Sequence, residues 1–366
     1  MNVVIACGGT GGHLFPGLAV AEVLRHRGHH VLIFISEKEI DTLAVRDHVG
    51  MFRFEKLPSV GLPRLWSPAM LGFVRGFAAS VKRCRALYRD FRPDAVLGMG
   101  GFTSTAPMLA GRLMKLPTFI HESNAIPGKA NRLNARLAQV VLLGFAECAR
   151  FFPGACTEVT GTPIRAGLRE RLDTRQAQAI FGLHEGAEKK TLLVMGGSQG
   201  AHGINEAVVR AAPEWKTTLQ IIHFTGREDE VAVRAAYEVA GVSAHVAAFH
   251  HRMQESYSAA DFAIARSGAA SLSELAYFGL PSLLIPYPFA AEDHQTFNAK
   301  IFTDAKAAVA LKERETTADY LARIVLEILR SPPRLSAMSA EARRLAPPDA
   351  AALLVETLET HAARAA

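Results

Sequence analysis

The sequence has few of the features that mark disulfide-rich, membrane-spanning or secreted proteins. Its four cysteines, Cys7, Cys84, Cys148 and Cys156, form no CxxC pair and no dense framework, so we expect reduced and mostly buried thiols. No stretch of about 18 apolar residues occurs, which excludes a spanning helix. The opening residues 1–6 lack a basic lead and run directly into a glycine loop. We interpret them as a buried first strand and expect a cytoplasmic chain.

Several motifs of nucleotide and metal chemistry are also absent. The sequence has no GxxxxGK[ST], which disfavours P-loop phosphoryl transfer. In the first glycine loop, the third glycine of a GxGxxG fingerprint would fall on Leu14, which disfavours a nicotinamide-dependent oxidoreductase. No DxD motif and no His, Cys or carboxylate cluster has metal-ligand spacing. We therefore expect neither a metal nor a cofactor.

The net charge of +6 is spread unevenly along the chain. Residues 1–160 contain 19 Lys and Arg against 11 Asp and Glu, whereas the remainder contains 22 against 24. The basic half is expected to face an acidic partner, either nucleic acid, an anionic membrane or a phosphorylated substrate. No nucleic-acid-binding motif accompanies the charge, so nucleic acid is the weakest of the three.

The chain repeats one plan. Apolar residues 3–7 lead into the loop GGTGGH at 8–13 and a helical pattern from about Pro16, and residues 191–195 lead into GGSQG at 196–200 and another helical pattern. Short β-type and helical stretches alternate behind both loops, which predicts parallel sheets. The prediction is an α/β chain of two Rossmann-like domains facing each other across a cleft. The expected boundaries are 1–162 and 163–340, with residues 341–366 forming a helix that packs back on the first domain.

Each glycine loop has two interpretations. A tight strand-to-helix turn needs glycine without any ligand. A phosphate site needs glycine as well, because the backbone must approach closely and the helix N-terminus offers N–H groups. Two matching loops favour a phosphate or diphosphate ligand.

The segment RSGAASLSELAYFGLP at 266–281 is the richest in the second half. One interpretation is purely structural: Ser271 and Glu274 form a capping box and Gly279 ends the helix. The other is a ligand site, because loops at the carboxyl ends of parallel strands bind ligands. A carboxylate there can accept both ribose hydroxyls of a nucleotide while helix N–H groups hold its phosphates.

The order of these motifs resembles the MurG family of transferases, which move N-acetylglucosamine from UDP-N-acetylglucosamine to lipid I and form lipid II. The matching segments span nearly the whole chain and comprise GGTGGHLFPGLAVA at 8–21, PDAVLGMGGFTS at 93–104, HESNAIPGKANR at 121–132, GTPIR at 161–165, GGSQGAHGIN at 196–205, RSGAASLSELAYFGLPSLLIPYP at 266–288 and EDHQTFNA at 292–299. The resemblance implies the GT-B glycosyltransferase architecture.

The resemblance also implies roles for residues at the UDP-N-acetylglucosamine site. It assigns the ribose hydroxyls to Glu274 and positive charge near the donor to Arg165. The other residues that it places at the donor are Thr10, Gly11, Gly12, Asn124, Ser198, His250, Ala269, Ala270, Ser271, His294 and Gln295. Among these, Ser198 and residues 269–271 would hold the diphosphate, and Asn124, His294 and Gln295 would reach the sugar.

Two positions depart from the family pattern. His250 stands where the family contacts uracil through its backbone and an aliphatic side chain is commoner. The family sequence HEQN is HESN here, with Ser123 in the third position.

The reaction implied by the resemblance is an inverting displacement. The 4-hydroxyl of N-acetylmuramic acid attacks C1 of the donor sugar, and a base takes its proton. We predict His13 as that base because the pKa of histidine lies near neutrality. The alternative is a histidine that only satisfies loop hydrogen bonds, and His121 and Glu122 are weaker candidates. The loop residues Gly100, Gly101, Phe102 and Thr103 would cradle the diphosphate of the acceptor.

A basic, apolar stretch between Lys56 and Arg92 is the candidate membrane contact. It holds eight basic residues against the single acid Asp90. Apolar side chains interleaved with this charge suit an anionic bilayer. The alternative is a core-facing helix with a solvated basic face. The predicted patch residues are Trp66, Phe73, Arg75 and Phe77.

The expected location is therefore the cytoplasmic face of the bacterial inner membrane, as a peripheral protein. Two other functions remain open from the sequence. One is a different enzyme on the same two-domain plan, such as a glycolipid-forming transferase or a UDP-sugar epimerase. The other is a catalytically idle nucleotide-sugar-binding protein, which the presence of all three glycine loops disfavours.

Overall fold

The computed structural model describes residues 1–9, 11–38, 41–42, 45–58, 69–183, 189–197, 200–347 and 349–365. The chain divides into two compact units. Unit 1 consists of Met1–Arg165 and Asp349–Ala366, and unit 2 of Ala166–Pro348.

Unit 1 is built on a seven-stranded sheet in which every pair of neighbours is parallel. Its strand order is β3-β2-β1-β4-β5-β6-β7. The inner strands are mostly apolar and buried on both faces, as expected for a parallel sheet covered by helices, although β5 ends in the buried polar residues His121 and Glu122. The strands are β1 Asn2–Ala6, β2 His30–Ser36, β3 Arg53–Leu57, β4 Ala95–Gly98, β5 Thr118–Glu122, β6 Val140–Leu143 and β7 Thr157–Val159.

Helices cover both faces of this sheet. Val3 and Ile5 of β1 join one core with residues of α1 and α13, while Val4 and Ala6 join the opposite core with α2 and α3. This division follows from the two-residue period of a strand. The helices of unit 1 are α1 Gly11–His26, α2 Ala69–Phe91, α3 Thr105–Leu113, α4 Lys129–Asn134 and the C-terminal α13 Ala350–Ala365.

Unit 2 repeats the plan with a six-stranded parallel sheet of order β10-β9-β8-β11-β12-β13. Leu192 and Val194 of β8 face a core that holds Trp215, whose indole N–H donates to the carbonyl of Ala322 at 3.2 Å. The strands are β8 Lys190–Met195, β9 Leu219–Phe224, β10 Ala244–Ala247, β11 Phe262–Ala265, β12 Ser282–Leu284 and β13 Ala308–Ala310. The helices are α5 Thr174–Ile180, α6 His202–Ala211, α7 Glu230–Ala240, α8 Met253–Ala259, α9 Ala269–Phe278, α10 His294–Asp304, α11 Ala318–Leu329 and α12 Pro332–Leu345.

Each sheet has one position from which successive strands are added first toward one edge and then toward the other. We call this position the reversal point of the sheet. In unit 1 it lies between β1 and β4, and in unit 2 between β8 and β11. The loops that leave the carboxyl ends of these strands diverge there and open a crevice, which is where open α/β sheets bind ligands. The glycine loops after β1, β4 and β8 and the segment after β11 all begin at these two points.

The start of α1 and the boundary near residue 341 differ from the sequence expectation. Helix α1 begins at Gly11 rather than near Pro16, so His13 lies in its first turn. The predicted boundary at residue 341 falls inside α12, and the chain divides instead between Pro348 and Asp349, so that the whole of α12 belongs to unit 2. Helix α13 is part of unit 1, where Leu354, Val355 and Leu358 are fully buried.

Candidate active site

The first reversal point brings His13 onto the loop that follows β4. A Cβ atom placed on Gly100 would lie only 2.6 Å from Cε1 and 2.7 Å from Nδ1 of the His13 ring. Gly100 also has a φ of +117°, a backbone conformation that residues with a side chain rarely adopt. The half-buried His13 ring therefore packs directly on the backbone of Gly100, and Gly101 lies beside the ring. The residue predicted as the base, His13, is therefore in contact with the loop predicted to bind the acceptor.

The first glycine loop is held by Asp41 and Lys38, which follow β2 in the chain. The Asp41 carboxylate accepts hydrogen bonds from the N–H of Gly9 at 2.7 Å and from the N–H and hydroxyl of Ser36 at 3.0 and 2.5 Å. The ammonium group of Lys38 donates a hydrogen bond to the backbone carbonyl of Gly9 at 3.1 Å. Sequence reasoning missed Asp41, which carries no motif. The bond to Asp41 occupies the Gly9 N–H, so a phosphate at this loop would use N–H groups nearer the start of α1.

His121 is held as a neutral ring. Its Nε2 lies 2.9 Å from the Gly161 carbonyl, which can only accept, so Nε2 carries the proton. The remaining nitrogen, Nδ1, lies 3.4 Å from the Ser123 hydroxyl. Burial lowers the pKa of His121 to about 4, with a further lowering from nearby His13 and an opposing effect of the Gly161 carbonyl. A buried ring with both nitrogens engaged is poorly suited to act as the base.

Glu122 organises the loop that carries Asn124. One carboxylate oxygen accepts the backbone and side-chain N–H groups of Asn124 at 2.9 and 3.1 Å, and the other accepts Gly128 N–H at 3.1 Å and Asn131 Nδ2 at 2.8 Å. The carboxylate is 2% exposed. Four donors around one buried carboxylate indicate a structural clamp rather than a proton acceptor.

Arg165 ends unit 1. Its guanidinium lies 4.5 Å from the centroid of the Phe15 ring, within the range of a cation–π interaction. Phe15 belongs to the same turn of α1 that follows His13. The structure therefore places the predicted positive charge on the N-terminal part of α1.

At the second reversal point, helix α9 begins directly after the loop that leaves β11. Gly268 is its N-cap, and Ala269, Ala270 and Ser271 form its first turn, where N–H groups have no partner within the helix. The capping-box interpretation of Ser271 and Glu274 is wrong, because both residues lie inside the helix. Gly279 does end the helix in a left-handed conformation, as predicted. The first turn is suited to a phosphate.

Glu274 lies one turn further along α9. Its Oε2 accepts a hydrogen bond of 2.6 Å from the hydroxyl of Tyr257 in α8. The same hydroxyl lies 3.6 Å from the sulfur of Met195, the last residue of β8. Sequence reasoning did not find Tyr257, since a lone tyrosine in a short helix is indistinguishable from a core residue.

The predicted sugar-binding residues begin α10 and are tied to the same loop. The hydroxyl of Ser267 donates to the backbone carbonyl of Gln295 at 2.8 Å, and the side-chain amide of Asn298 donates to the backbone carbonyl of Ser267 at 3.0 Å. Gln295 Oε1 accepts the Tyr287 N–H at 2.9 Å, which leaves its amide NH2 as the group suited to a sugar hydroxyl. His294 Nδ1 lies 2.7 Å from the Ala291 carbonyl. The structure thus brings Gln295 to the start of α9.

His250 follows β10, farther along the sheet. Its ring stacks on Phe224 at 5.5 Å between centroids, and its Nε2 lies 2.8 Å from the buried carboxylate of Glu255. The side chain therefore fixes the loop at 249–252 against α8, in place of the aliphatic packing that the family pattern favours.

The predicted membrane residues of α2 are not equally exposed. Phe73 and Phe77 are half-buried and stacked, with centroids 6.1 Å apart, whereas Arg75 is exposed. Leu71 and Val74 are 59% and 52% exposed. A small hollow beside the acceptor loop is lined by Leu57, Pro58, Phe73, Gly76, Phe77, Ser80, Phe102, Thr103 and Ala106.

Three predicted residues, Thr10, Ser198 and Trp66, lie outside the described residues. Within the ranges that the structure describes, no helix is long and apolar enough to cross a membrane. In that same part of the chain, no three His, Cys, Asp or Glu side chains are grouped so that they could hold a metal ion.

The chain is similar to known glycosyltransferases over almost its full length. The N-terminal domain of glycosyltransferase family 28 matches residues 3–143, and the C-terminal domain of the same family matches residues 191–354. The UDP-N-acetylglucosamine–N-acetylmuramyl-(pentapeptide) pyrophosphoryl-undecaprenol N-acetylglucosamine transferase of Pelobacter propionicus is 40% identical, over 98% of this chain and 99% of that protein.

Two solved structures share the fold. The crystal structure of MurG from Acinetobacter baumannii has a TM-score of 0.79 at 27% identity and covers 98% of this chain and 99% of its own. A UDP-N-acetylglucosamine 2-epimerase from Neisseria meningitidis, bound to UDP-N-acetylglucosamine, has a TM-score of 0.71 at 15% identity, over 98% of this chain and 100% of its own. At that identity the likeness shows the fold alone.

The two parallel α/β units and these matches define a UDP-sugar glycosyltransferase of the GT-B class. The chain belongs to the MurG family, within glycosyltransferase family 28. The family, the fold class and the enzyme class predicted from the sequence are confirmed.

Proposed function

We propose that this chain transfers N-acetylglucosamine from UDP-N-acetylglucosamine to the 4-hydroxyl of N-acetylmuramic acid in undecaprenyl-pyrophosphoryl-MurNAc-pentapeptide, lipid I, and thereby forms lipid II for peptidoglycan. The observation that carries the proposal is 40% identity over 98% of the chain to a transferase named for this donor and acceptor. The glycine loops at both reversal points support it, because both substrates contain a diphosphate.

The proposed donor site is the second reversal point. The first turn of α9, residues 269–271, would bind the diphosphate through its N–H groups, and Glu274 would accept the ribose hydroxyls. The amide NH2 of Gln295 would donate to the sugar. The hydrogen bond from the Ser267 hydroxyl to the backbone carbonyl of Gln295 supports this grouping, since it joins the loop before α9 to the first turn of α10.

The proposed chemistry is one in-line displacement with inversion. His13 takes the proton of the attacking hydroxyl as the new bond to C1 forms, and the bond to UDP breaks. The negative charge that develops on the diphosphate would be stabilised by the N–H groups of α9 and by Arg165. The contact between His13 and Gly100 supports this assignment, because the His13 ring lies beside residues 100–103, the loop proposed for the acceptor diphosphate.

A transfer assay tests the function. The purified chain is incubated with a lipid I analogue and UDP-N-acetylglucosamine, UDP-glucose or UDP-N-acetylgalactosamine, in the presence of EDTA. We expect transfer from UDP-N-acetylglucosamine only. No transfer, or transfer only after a metal is added in excess of EDTA, would contradict the proposal. Release of N-acetylmannosamine from the donor without acceptor would indicate epimerase chemistry instead.

We further propose that the chain works as a peripheral protein at the cytoplasmic face of the bacterial inner membrane. Helix α2 lies beside the acceptor loop, since Phe73 and Phe77 line one hollow with Phe102. Leu71, Val74 and Arg75 are exposed residues of this helix. Apolar side chains that enter the head-group region next to a cation are typical of interfacial helices. The acceptor's polyprenyl chain is itself confined to a membrane.

Vesicle binding tests the membrane proposal. The double variant Leu71→Ser and Val74→Ser should bind vesicles of anionic phospholipid at least about tenfold more weakly than the parent chain, because two exposed apolar side chains no longer enter the bilayer. The matched control changes two exposed valines of unit 2, Val231→Ser and Val239→Ser, which are 80% and 91% exposed. Equal binding of the two double variants would contradict the assignment.

A further inference from the structure

Tyr257 is a buried tyrosine whose hydroxyl is directed at a carboxylate. Its side chain is 3% exposed, and its ring packs against Phe278 with centroids 5.1 Å apart. The hydroxyl donates to Glu274 Oε2 at 2.6 Å, a short distance typical of a hydrogen bond to an ionised acceptor. The ring is therefore fixed by packing and the hydroxyl by a strong bond.

The position of this hydroxyl connects three elements. Tyr257 belongs to α8, Glu274 to α9, and Met195, 3.6 Å from the hydroxyl, ends β8 where the second glycine loop begins. The tyrosine thus ties the carboxylate to the strand that leads into a loop proposed for phosphate binding.

The bond from Tyr257 restricts the Glu274 side chain. A half-buried glutamate on a helix has three rotatable side-chain bonds, and ordering them on binding costs free energy. A carboxylate can accept about four hydrogen bonds on its two oxygens, so the bond from Tyr257 is compatible with binding of the hydroxyls of a ribose.

We propose that Tyr257 is a positioning residue that orients the Glu274 carboxylate toward the two ribose hydroxyls of the UDP-sugar. This inference rests on the proposed function, since it assumes a ribonucleotide at the second reversal point. Tyr257 does not touch the ligand. It acts by holding the carboxylate in its binding geometry before the nucleotide arrives.

The test compares the affinities of UDP and 2′-deoxy-UDP, measured by calorimetry. Tyr257→Phe removes only the hydroxyl and keeps the buried ring. The affinity for UDP should fall about tenfold, as expected when a hydrogen bond to a charged group is lost. The affinity for 2′-deoxy-UDP should fall less, so the ratio of the two affinities decreases. A residue that merely supported the fold would weaken both ligands by the same factor.

Two further variants complete the experiment. Tyr237→Phe is the matched control, because Tyr237 is also buried and its hydroxyl also makes a buried bond, to His223 at 2.8 Å. It should leave the ratio unchanged. In a Glu274→Ala background, Tyr257→Phe should have no further effect on UDP affinity, since the two residues act as one unit.

Unchanged UDP affinity in Tyr257→Phe, or equal losses for both ligands, would overturn the inference while leaving the proposed function intact. Failure of the unmodified chain to bind UDP, or to transfer sugar to the lipid I analogue, would instead overturn the proposed function. The two failures are therefore distinguished by the behaviour of the unmodified chain.

Discussion

Replacement of Glu122 by glutamine is the most informative perturbation of unit 1. The carboxylate accepts four N–H donors, two on each oxygen. Glutamine has the same shape, but one of its oxygens becomes an NH2 group, which can only donate. Whichever way the amide is turned, two N–H groups of the loop then face a donor. The change therefore removes two hydrogen bonds without creating a cavity.

The magnitude follows from this count. A hydrogen bond to a charged acceptor contributes about 1.5–3 kcal/mol, so losing two costs about 3 kcal/mol or more of the free energy of unfolding. For a unit of this size, each kcal/mol lowers the melting temperature by about 2–4 °C. The expected decrease for Glu122→Gln is thus at least about 6 °C in the transition of unit 1.

Scanning calorimetry gives the melting temperature, and hydrogen exchange shows whether the protection lost is that of residues 123–131. Glu147→Gln is the control, because Glu147 is an exposed acid of the same unit and loses the same charge. A melting temperature for Glu122→Gln within about 1 °C of the control would refute the four-donor clamp. Turnover should fall as well, since Asn124 depends on two of these bonds.

Three further predictions concern histidines. His13→Ala should lower turnover by about 100-fold or more with UDP binding unchanged, and near-normal turnover would contradict its assignment as the base. Gly100→Ala should place a methyl group against the His13 ring and strain a backbone conformation that favours glycine, so turnover should fall. The double variant with His13→Ala should lose no more turnover than His13→Ala alone. Additive losses would show that Gly100 does not act through His13. Burial lowers the pKa of His121 to about 4 and that of His223 to about 3 from the ordinary 6.5. Because the unfolded chain takes up these protons first, stability should fall as the pH decreases from 6.5 toward these values, by up to about 1.4 kcal/mol per pH unit for each ring. Urea unfolding between pH 7 and pH 5 measures this slope, and an unchanged slope in His223→Gln would refute the contribution of that ring.

Much of each sheet was predictable from the sequence because parallel strands buried on both faces are continuous apolar runs. The stretches at 3–7 and 191–195 became β1 and β8, and the glycine loops stand where predicted after them. Helix starts were less accurate. The signal at Pro16 placed the beginning of α1 too late, because the turn that precedes it is built from glycines with weak helical preference.

Contacts between distant loops were not predictable. His13 and Gly100 meet because β1 and β4 are neighbours in the sheet, and strand order is set by how the whole sheet and its helices pack. The local interpretation of Ser271 and Glu274 as a capping box failed for the related reason that the chain enters α9 at Gly268, where the loop from β11 delivers it.

By itself the sequence determined the two-domain plan, the glycine loops and the family, because these depend on residue type and order along the chain. Tertiary structure alone decided which side chains meet. It brought Leu354 of α13 into the core that holds Val3 and Ile5 of β1, which are far from it in the chain. It also directed the hydroxyl of Tyr257 at Glu274, a bond between two helices separated by a strand. Such contacts depend on the packing of rigid elements in three dimensions, and no local pattern of residues records them.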